Sequence, residues 1–217
     1  MIAKPSSFQS NIATDEEGAT LVEFAIIAPT FLLLLMGILD FGFNAYMRSI
    51  VDGAIQEAAR DSTLEGAAVG GATDLIDQRL AESIQNLLPN LPVLANDTDL
   101  DSTNNGIKIK RLSYFDFADV NRPEAYTDSN GNSECDNGEP FEDENSNGVW
   151  DADVGEEGLG GARDVVLYTV DVKYDRLFPL YGLMKLSQDV TVSASTVLQN
   201  QPYAQQDAQI TVTPGTC

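Results

Sequence analysis

Residues 128–157 contain the side chains whose types and spacing are best suited to chemistry. Eleven of these thirty residues are acidic, and none is Lys or Arg. The pattern repeats with a period of fifteen, which acidic composition alone does not readily produce. The matched positions are Asp128, Asn130, Asn132, Cys135 and Asp136 in the first unit and Asp143, Asn145, Asn147, Trp150 and Asp151 in the second.

Each unit has the spacing of a calcium-binding loop. In loops of the EF-hand type, oxygen ligands come from the first, third, fifth and ninth residues, from the carbonyl of the seventh, and from a bidentate Glu at the twelfth. An apolar side chain in the eighth place is normal. The first unit would therefore bind through Asp128, Asn130, Asn132, the carbonyl of Glu134, Asp136 and Glu139.

Both units depart from this template at one position. In the first, Ser133 stands where the sharp turn usually needs glycine. In the second, Val154 stands where the bidentate carboxylate belongs, so that Asp153, Glu156 or Glu157 must replace it; we assign Glu156. The second ligand set is then Asp143, Asn145, Asn147, the carbonyl of Val149, Asp151 and Glu156.

We expect one or two Ca²⁺ ions, bound weakly, because Asn-rich ligand sets carry few charges (Kd on the order of 10⁻⁴ to 10⁻³ M). One alternative is a solvated acidic turn that binds no metal. Another is an enzyme using paired carboxylates, which would need a buried carboxyl group with a raised pKa that the sequence does not offer.

Composition narrows the functional classes further. The chain has 34 acidic and 12 basic residues, a net charge of −22, and no histidine. The charge disfavours nucleic-acid binding, which needs Lys and Arg at the phosphates. The missing histidine excludes Ser-His-Asp and Cys-His catalysis. Cys135 and Cys217 could pair in an oxidising compartment, or Cys135 could remain the apolar residue of its loop.

The chain also contains a segment that is long and apolar enough to form a membrane-spanning helix. Leu21 to Leu39 are apolar apart from Glu23, and nineteen helical residues span about 28 Å, close to the hydrocarbon thickness of a bilayer. A cleaved secretory signal is the weaker alternative because no basic n-region precedes this segment and no A-x-A site follows closely. Residues 41–60 continue it with an apolar stripe, which predicts one helix of about 40 residues.

The remaining elements predict an α+β fold. A second helix is expected over residues 74–88, ended by Pro89. Strands are expected over residues 107–117, 164–174 and 188–198, forming a small antiparallel sheet against the long helix. Between the last two strands, LFPLYGLMKL (residues 177–186) is an apolar connection that could pack under the sheet or meet a partner.

The start of the apolar segment carries a further pattern. Gly18 stands at its boundary, Ala19 follows, and Glu23 lies inside it. A carboxylate in lipid costs roughly 2.5 to 3.5 kcal/mol at the centre of a helix and less near its edge, which indicates a functional role. This arrangement resembles type IV pilin-like precursors. The resemblance implies cleavage after Gly18 by a prepilin peptidase and docking of Glu23 with the new N-terminal amine of a neighbour.

The chain more specifically resembles TadE-like pseudopilins of the tight-adherence (Tad/Flp) pilus machinery. EEGATLVEFAIIAPTFLLLLMGILDFG (residues 16–42) is close to that family's opening, and LFPLYGLM followed by VTVSASTVLQNQPY (residues 177–203) is similar to its end. The acidic repeat looks like an insertion.

These patterns together predict a non-enzymatic pseudopilin that takes part in pilus assembly. Its partners would be other pilins, pseudopilins, assembly proteins and the prepilin peptidase. The expected organisation is a leader over residues 1–18, a single transmembrane helix over 19–40 in the bacterial inner membrane, and a periplasmic or extracellular α+β domain over 41–217, with the insertion at 128–157. The alternative is a monomeric, membrane-anchored calcium-binding surface protein without a pilus role.

Overall fold

The chain folds as an α+β protein in which one very long helix packs against a second helix and an antiparallel sheet. The computed structural model describes residues 17–62, 72–94, 100, 104–183, 185, 187–201 and 212–217. Residues 1–16 of the expected leader lie outside the described residues.

Helix α1 runs from Glu17 to Ser62, which at 1.5 Å per residue is a rod of about 69 Å. Its first half contacts little else in the chain: the apolar side chains from Leu21 to Leu39 are mostly exposed, Leu21 and Phe24 to 71%. Its second half is amphipathic and buries Met47, Val51, Ile55 and Ala58. The expected continuous helix is confirmed, and Pro29 lies inside it.

Helix α2 spans Ala72–Gln85 and packs on α1. It buries one stripe of apolar side chains and leaves the opposite face in water. The helix ends three residues earlier than the sequence suggested, because the chain turns before Pro89 through hydrogen bonds from the Leu87 and Leu88 amides to the Ile84 carbonyl. The buried stripe consists of Ile76, Leu80, Ala81 and Ile84.

Within the described residues, six strands form two separate antiparallel sheets. The larger sheet has the order β3-β1-β4-β5, and β2 pairs with β6 in the smaller one. The strand expected to reach residue 117 ends at Tyr114, because residues 117–119 form a short 3-10 helix capped by the Asp116 side chain. The bounds are β1 Gly106–Tyr114, β2 Pro140–Asp143, β3 Glu156–Glu157, β4 Val165–Asp175, β5 Asp189–Gln199 and β6 Thr213–Thr216.

The core lies between the larger sheet and the second half of α1. Alternate residues of β4 point to the helices, as the two-residue period of a strand requires. Val170 and Val172 are fully buried there, together with Met47 and Val51 of α1 and Ile84 of α2. The described residues from Asp40 to Cys217 are called the head below.

Strand β4 runs antiparallel to α1. At one end, the Phe43 and Tyr174 rings meet edge to face with their centroids 5.8 Å apart. Towards the other end, the Tyr168 hydroxyl donates to Asp77 of α2 at 2.8 Å. Since α2 packs alongside the last turns of α1, the connection between β4 and β5 lies at the end of the head nearest the apolar half of α1. Residues 176–188 of this connection are called the hairpin tip, and they include the short helix α3, Leu180–Leu183.

Replacing Ile84 by Ala tests this packing. Ile84 is fully buried, so we expect the substitution to lower the free energy of unfolding by about 2–4 kcal/mol through lost contacts and a cavity. Leu75→Ala on the same helix is the control, because Leu75 is 57% exposed and should cost less than about 0.5 kcal/mol. Urea unfolding in detergent measures both, and equal losses would contradict the packing.

Candidate functional site

The first acidic loop is organised by its own carboxylate and amide oxygens. Asp128 accepts hydrogen bonds from the backbone amides of Gly131 at 2.6 Å and Ser133 at 2.9 Å. Asn130 Oδ1 accepts from the Asn132 amide at 2.9 Å. Asn132 Oδ1 in turn accepts from the Glu134 amide at 2.9 Å. These turns place the side-chain oxygens of residues 128, 130 and 132 on the inside of the loop.

Two further carboxylates close the first loop. Asp136 accepts from the side-chain amides of Asn130 and Asn132, the latter at 2.7 Å. Glu139 is only 6% exposed, and its two oxygens accept from the backbone amides of Ser129 at 2.7 Å and Asp136 at 3.1 Å. Hydrogen bonds therefore link the five side chains that were predicted as ligands to this loop, and metal binding by them stays a prediction.

The second loop repeats this geometry. Asp143 accepts from the amides of Asn147 at 3.2 Å and Gly148 at 2.9 Å. Asn145 Oδ1 accepts from the Asn147 amide, and Asn147 Oδ1 from the Val149 amide. The side-chain amides of Asn145 and Asn147 donate to Asp151 at 2.8 and 2.6 Å.

The backbone of the two loops is also equivalent. Both adopt positive φ at their fourth and sixth residues: Gly131 at 77° and Ser133 at 65° in the first, Ser146 at 59° and Gly148 at 79° in the second. Each loop thus has one glycine and one serine in the two left-handed positions. Ser133, which departs from the sequence template, takes the same conformation as Gly148.

The carboxylate that closes the second loop comes from Glu124, a residue that the sequence analysis missed. Its side chain is 1% exposed, and its two oxygens accept from the amides of Glu144 at 2.8 Å and Asp151 at 3.0 Å. These amides are the equivalents, fifteen residues on, of Ser129 and Asp136 in the first loop. Glu124 therefore occupies in the second loop the place that Glu139 occupies in the first.

Glu124 and Glu139 are themselves fifteen residues apart, so the repeat begins four residues before Asp128. Each glutamate closes the loop of the other unit, which relates the two units by an approximate two-fold axis. Paired backbone bonds follow the same symmetry: Thr127 donates to the Pro140 carbonyl and Glu142 to that of Ala125. Extending the period of fifteen towards the N-terminus would have found Glu124.

The other predicted ligands are less closely tied to the loops. Glu134 and Val149, whose carbonyls were assigned as ligands, are exposed, and Val149 is 64% so. Glu156 lies in β3 opposite Ser113, and it lines a cleft together with Asn145, Asn147 and Asp151. Within the described part of the chain, no group of three or more His, Cys, Asp or Glu side chains is arranged to hold a metal ion.

Neighbouring contacts keep these loops anionic and fixed. Arg122 donates to both oxygens of Glu144, at 2.7 and 2.6 Å, and this pairing lowers the pKa of Glu144. The hydrogen bond from the Ser133 amide, with weaker contributions from neighbouring amides, lowers the pKa of Asp128. Both carboxylates are thus charged at neutral pH.

Cys135 and Cys217 are joined by a disulfide with their Cα atoms 5.8 Å apart. Cys217 also exchanges backbone hydrogen bonds with the first loop, donating to the Glu139 carbonyl and accepting from the Gly138 amide. Together with the pairing of β6 on β2, the disulfide fastens this part of the chain to the first loop.

The predicted processing residues lie in the first two turns of α1. Gly18 and Glu23 are exposed, and Ala19 is helical. The apolar half of α1 is long and apolar enough to cross a membrane, and none of its most apolar window is buried against the head. Within the described part of the chain, the segment of α1 that carries Glu23 is not covered by the head.

Comparison with known proteins gives one match. The model of the family described as TadE-like protein matches residues 18–60, from the first turn of α1 almost to its end. The resemblance stated for the start of the chain is confirmed; that of residues 177–203 lies outside the match and stays a prediction. No curated protein and no solved structure matches the chain.

Proposed function

We propose that this chain, TadE-like over residues 18–60, is a pseudopilin that is cut after Gly18 and enters Tad pilus assembly through α1. The family implies a role in Tad pilus assembly and is non-enzymatic and structural. The observation that carries the finer proposal is the position of the match, which begins at Gly18 and covers a helix whose apolar half is largely exposed among the described residues.

The exposed half of α1 needs an apolar environment on all sides. Leu21, Phe24 and Ile27 are each more than 60% exposed, as are others along the same half. Water contact with this much apolar surface is unfavourable by about 25 cal/mol per Å². A bilayer covers it before assembly, and the helices of neighbouring subunits cover it afterwards, so that the same surface serves for anchoring and for assembly. The head then lies on the periplasmic side.

Glu23 provides the polar contact in this apolar surface. It lies four residues after Ala19, about 6 Å along the helix axis. After cleavage the amine of Ala19 would be a cation near the same depth, and the carboxylate of a neighbouring subunit would neutralise it. This pairing would offset the cost of holding Glu23 in an apolar environment.

Replacing Glu23 by Ala should leave cleavage and membrane insertion intact while lowering pilus assembly about tenfold, which corresponds to about 1.4 kcal/mol of lost interaction. Surface pili and the mass of the mature chain are measured together in the producing bacterium. Glu57→Ala is the control, since Glu57 is an exposed glutamate on the head half of the same helix. Normal assembly by the Glu23→Ala strain would contradict the proposed docking.

Calcium is the proposed ligand of the two loops. Each loop carries carboxylate and side-chain amide oxygens, which are donors of the kind that Ca²⁺ prefers. The first set is Asp128, Asn130, Asn132, Asp136 and Glu139, with the Glu134 carbonyl. In the second we replace Glu156 by Glu124, giving Asp143, Asn145, Asn147, Asp151 and Glu124, with the Val149 carbonyl.

The equivalence of the two loops supports this proposal. Both present the same oxygens on the same backbone, and in both a nearly buried glutamate faces the loop. A bound cation would neutralise carboxylates that otherwise repel one another across a small volume. Calcium would thus stiffen the loops and the surface that they present to a partner.

Calorimetric titration of the full chain with Ca²⁺ should detect two weak sites and a rise in the melting temperature. Glu124→Gln should remove the second site and Glu139→Gln the first, since each loses one carboxylate oxygen of its loop. Glu142→Gln is the matched control: it makes the same change on an exposed glutamate between the loops. Two intact sites in the Glu124→Gln variant, or no Ca²⁺ response in the parent protein, would contradict the assignment.

A second candidate function is a membrane-anchored, calcium-binding surface protein without a pilus role. The observation in its favour is that both loops lie far outside the matched residues 18–60. In that case α1 would be an anchor only, and Glu23 could be replaced without loss of function.

A further inference from the structure

The hairpin tip, residues 176–188, lies where α1 leaves its apolar half. Arg176 opens the tip and donates to Asp40 of α1 at 2.7 Å, and Asp40 directly follows the last residue of the apolar segment, Leu39. The Asp40 side chain is only 5% exposed, which makes it the first acidic side chain of α1 that the head buries. The tip therefore lies beside the residue at which the apolar segment of α1 ends.

Further contacts fix the tip against α1. The Arg176 guanidinium lies 4.0 Å from the centre of the Tyr181 ring. The Arg176 amide donates to the Gln188 carbonyl at 2.9 Å, which closes the base of the tip. Two residues before Arg176, Tyr174 of β4 packs on Phe43 of α1. These contacts join the base of the tip to α1.

The composition of the tip is opposite to that of the rest of the chain. Residues 176–188 contain Arg176 and Lys185 and no acidic residue, in a chain of net charge −22. Among the described apolar and aromatic side chains of the tip, Leu177 is 52% exposed, Pro179 is exposed, and Phe178 and Tyr181 are partly exposed.

We propose that the hairpin tip is a second membrane contact, lying in the headgroup region of the bilayer beside α1. This inference rests on the membrane anchoring of α1 proposed above. If residues 21–39 fill the hydrocarbon core, Asp40 and its partner Arg176 lie at the boundary, and Leu177 lies one residue from it. Aromatic rings and lysines beside apolar side chains are the residues that favour this layer.

Two attachment points would fix the head relative to the membrane. A single helix would let the head tilt about the end of its apolar half. The tip, joined to α1 through Arg176 and Asp40, would resist that tilt. The acidic loops lie near the end of the sheet opposite the tip. They would then face away from the anionic lipid surface, which repels them.

A tryptophan placed in the tip tests the contact. Trp150 is the chain's single tryptophan, so Trp150→Phe gives a silent background. Leu177→Trp and, separately, Pro179→Trp are introduced there, and the full chain is reconstituted in vesicles of zwitterionic and anionic phospholipid. Phe117→Trp is the control: Phe117 is 52% exposed and follows β1, whose last residue pairs with the first residue of β4, at the end of the head far from the tip.

We expect the tip variants to emit at shorter wavelength and to be quenched by brominated phospholipid several-fold more than the Phe117→Trp variant. Resistance to alkaline extraction measures the anchoring of α1 independently. A chain that resists extraction while its tip tryptophans are no more quenched than the control would overturn the tip proposal and leave the anchor intact. A blue shift that brominated lipid does not quench, and that disappears when the protein is diluted in lipid, would also overturn the tip proposal. A second protein copy would then cover the tip. A chain that alkali extracts would refute the membrane anchor itself.

Discussion

The two halves of the single uninterrupted helix α1 have different surroundings. The first half of α1 exposes almost every side chain and is apolar on all faces, whereas the second half buries one stripe against α2 and the sheet. Since the helix continues without a break from Glu17 to Ser62, the position of the head along it is fixed by where burial begins. Asp40 marks that position. Its ion pair with Arg176 joins α1 to the residue that directly follows the C-terminal end of β4. This junction fixes the position of the rest of the head along α1.

The acidic repeat has internal symmetry. Each fifteen-residue unit places its own aspartates and asparagines around one loop and contributes its glutamate to the other. Because each loop needs the glutamate of the other unit, we expect the two loops to become ordered together. The disulfide and the β2–β6 pairing then connect the pair of loops to β6 and to Cys217, which follows it. The insertion can therefore hold its shape at some distance from the main core.

Most of the architecture follows from local patterns in the sequence. The long apolar run and its amphipathic continuation predict α1, and alternating β-branched residues predict β4 and β5 to within one residue. The predicted ends of elements were less accurate where a local turn follows directly, as at Gln85 and Tyr114. Glu124 was missed for a physical reason: a twelve-residue template assumes that all ligands come from one continuous loop, whereas here the closing carboxylate crosses over from the other unit. The pairing of Cys135 with Cys217, 82 residues apart, likewise depends on the fold and had no local signal.

The central claim is that α1 is a processed assembly helix and not a plain anchor. The most direct test is the intact mass, or the terminal sequence, of the protein isolated from its native membrane. The account predicts a mature chain that begins at Ala19, with residues 1–18 removed. A chain that still begins at Met1, or one cut beyond Leu39 and released from the membrane, would contradict it.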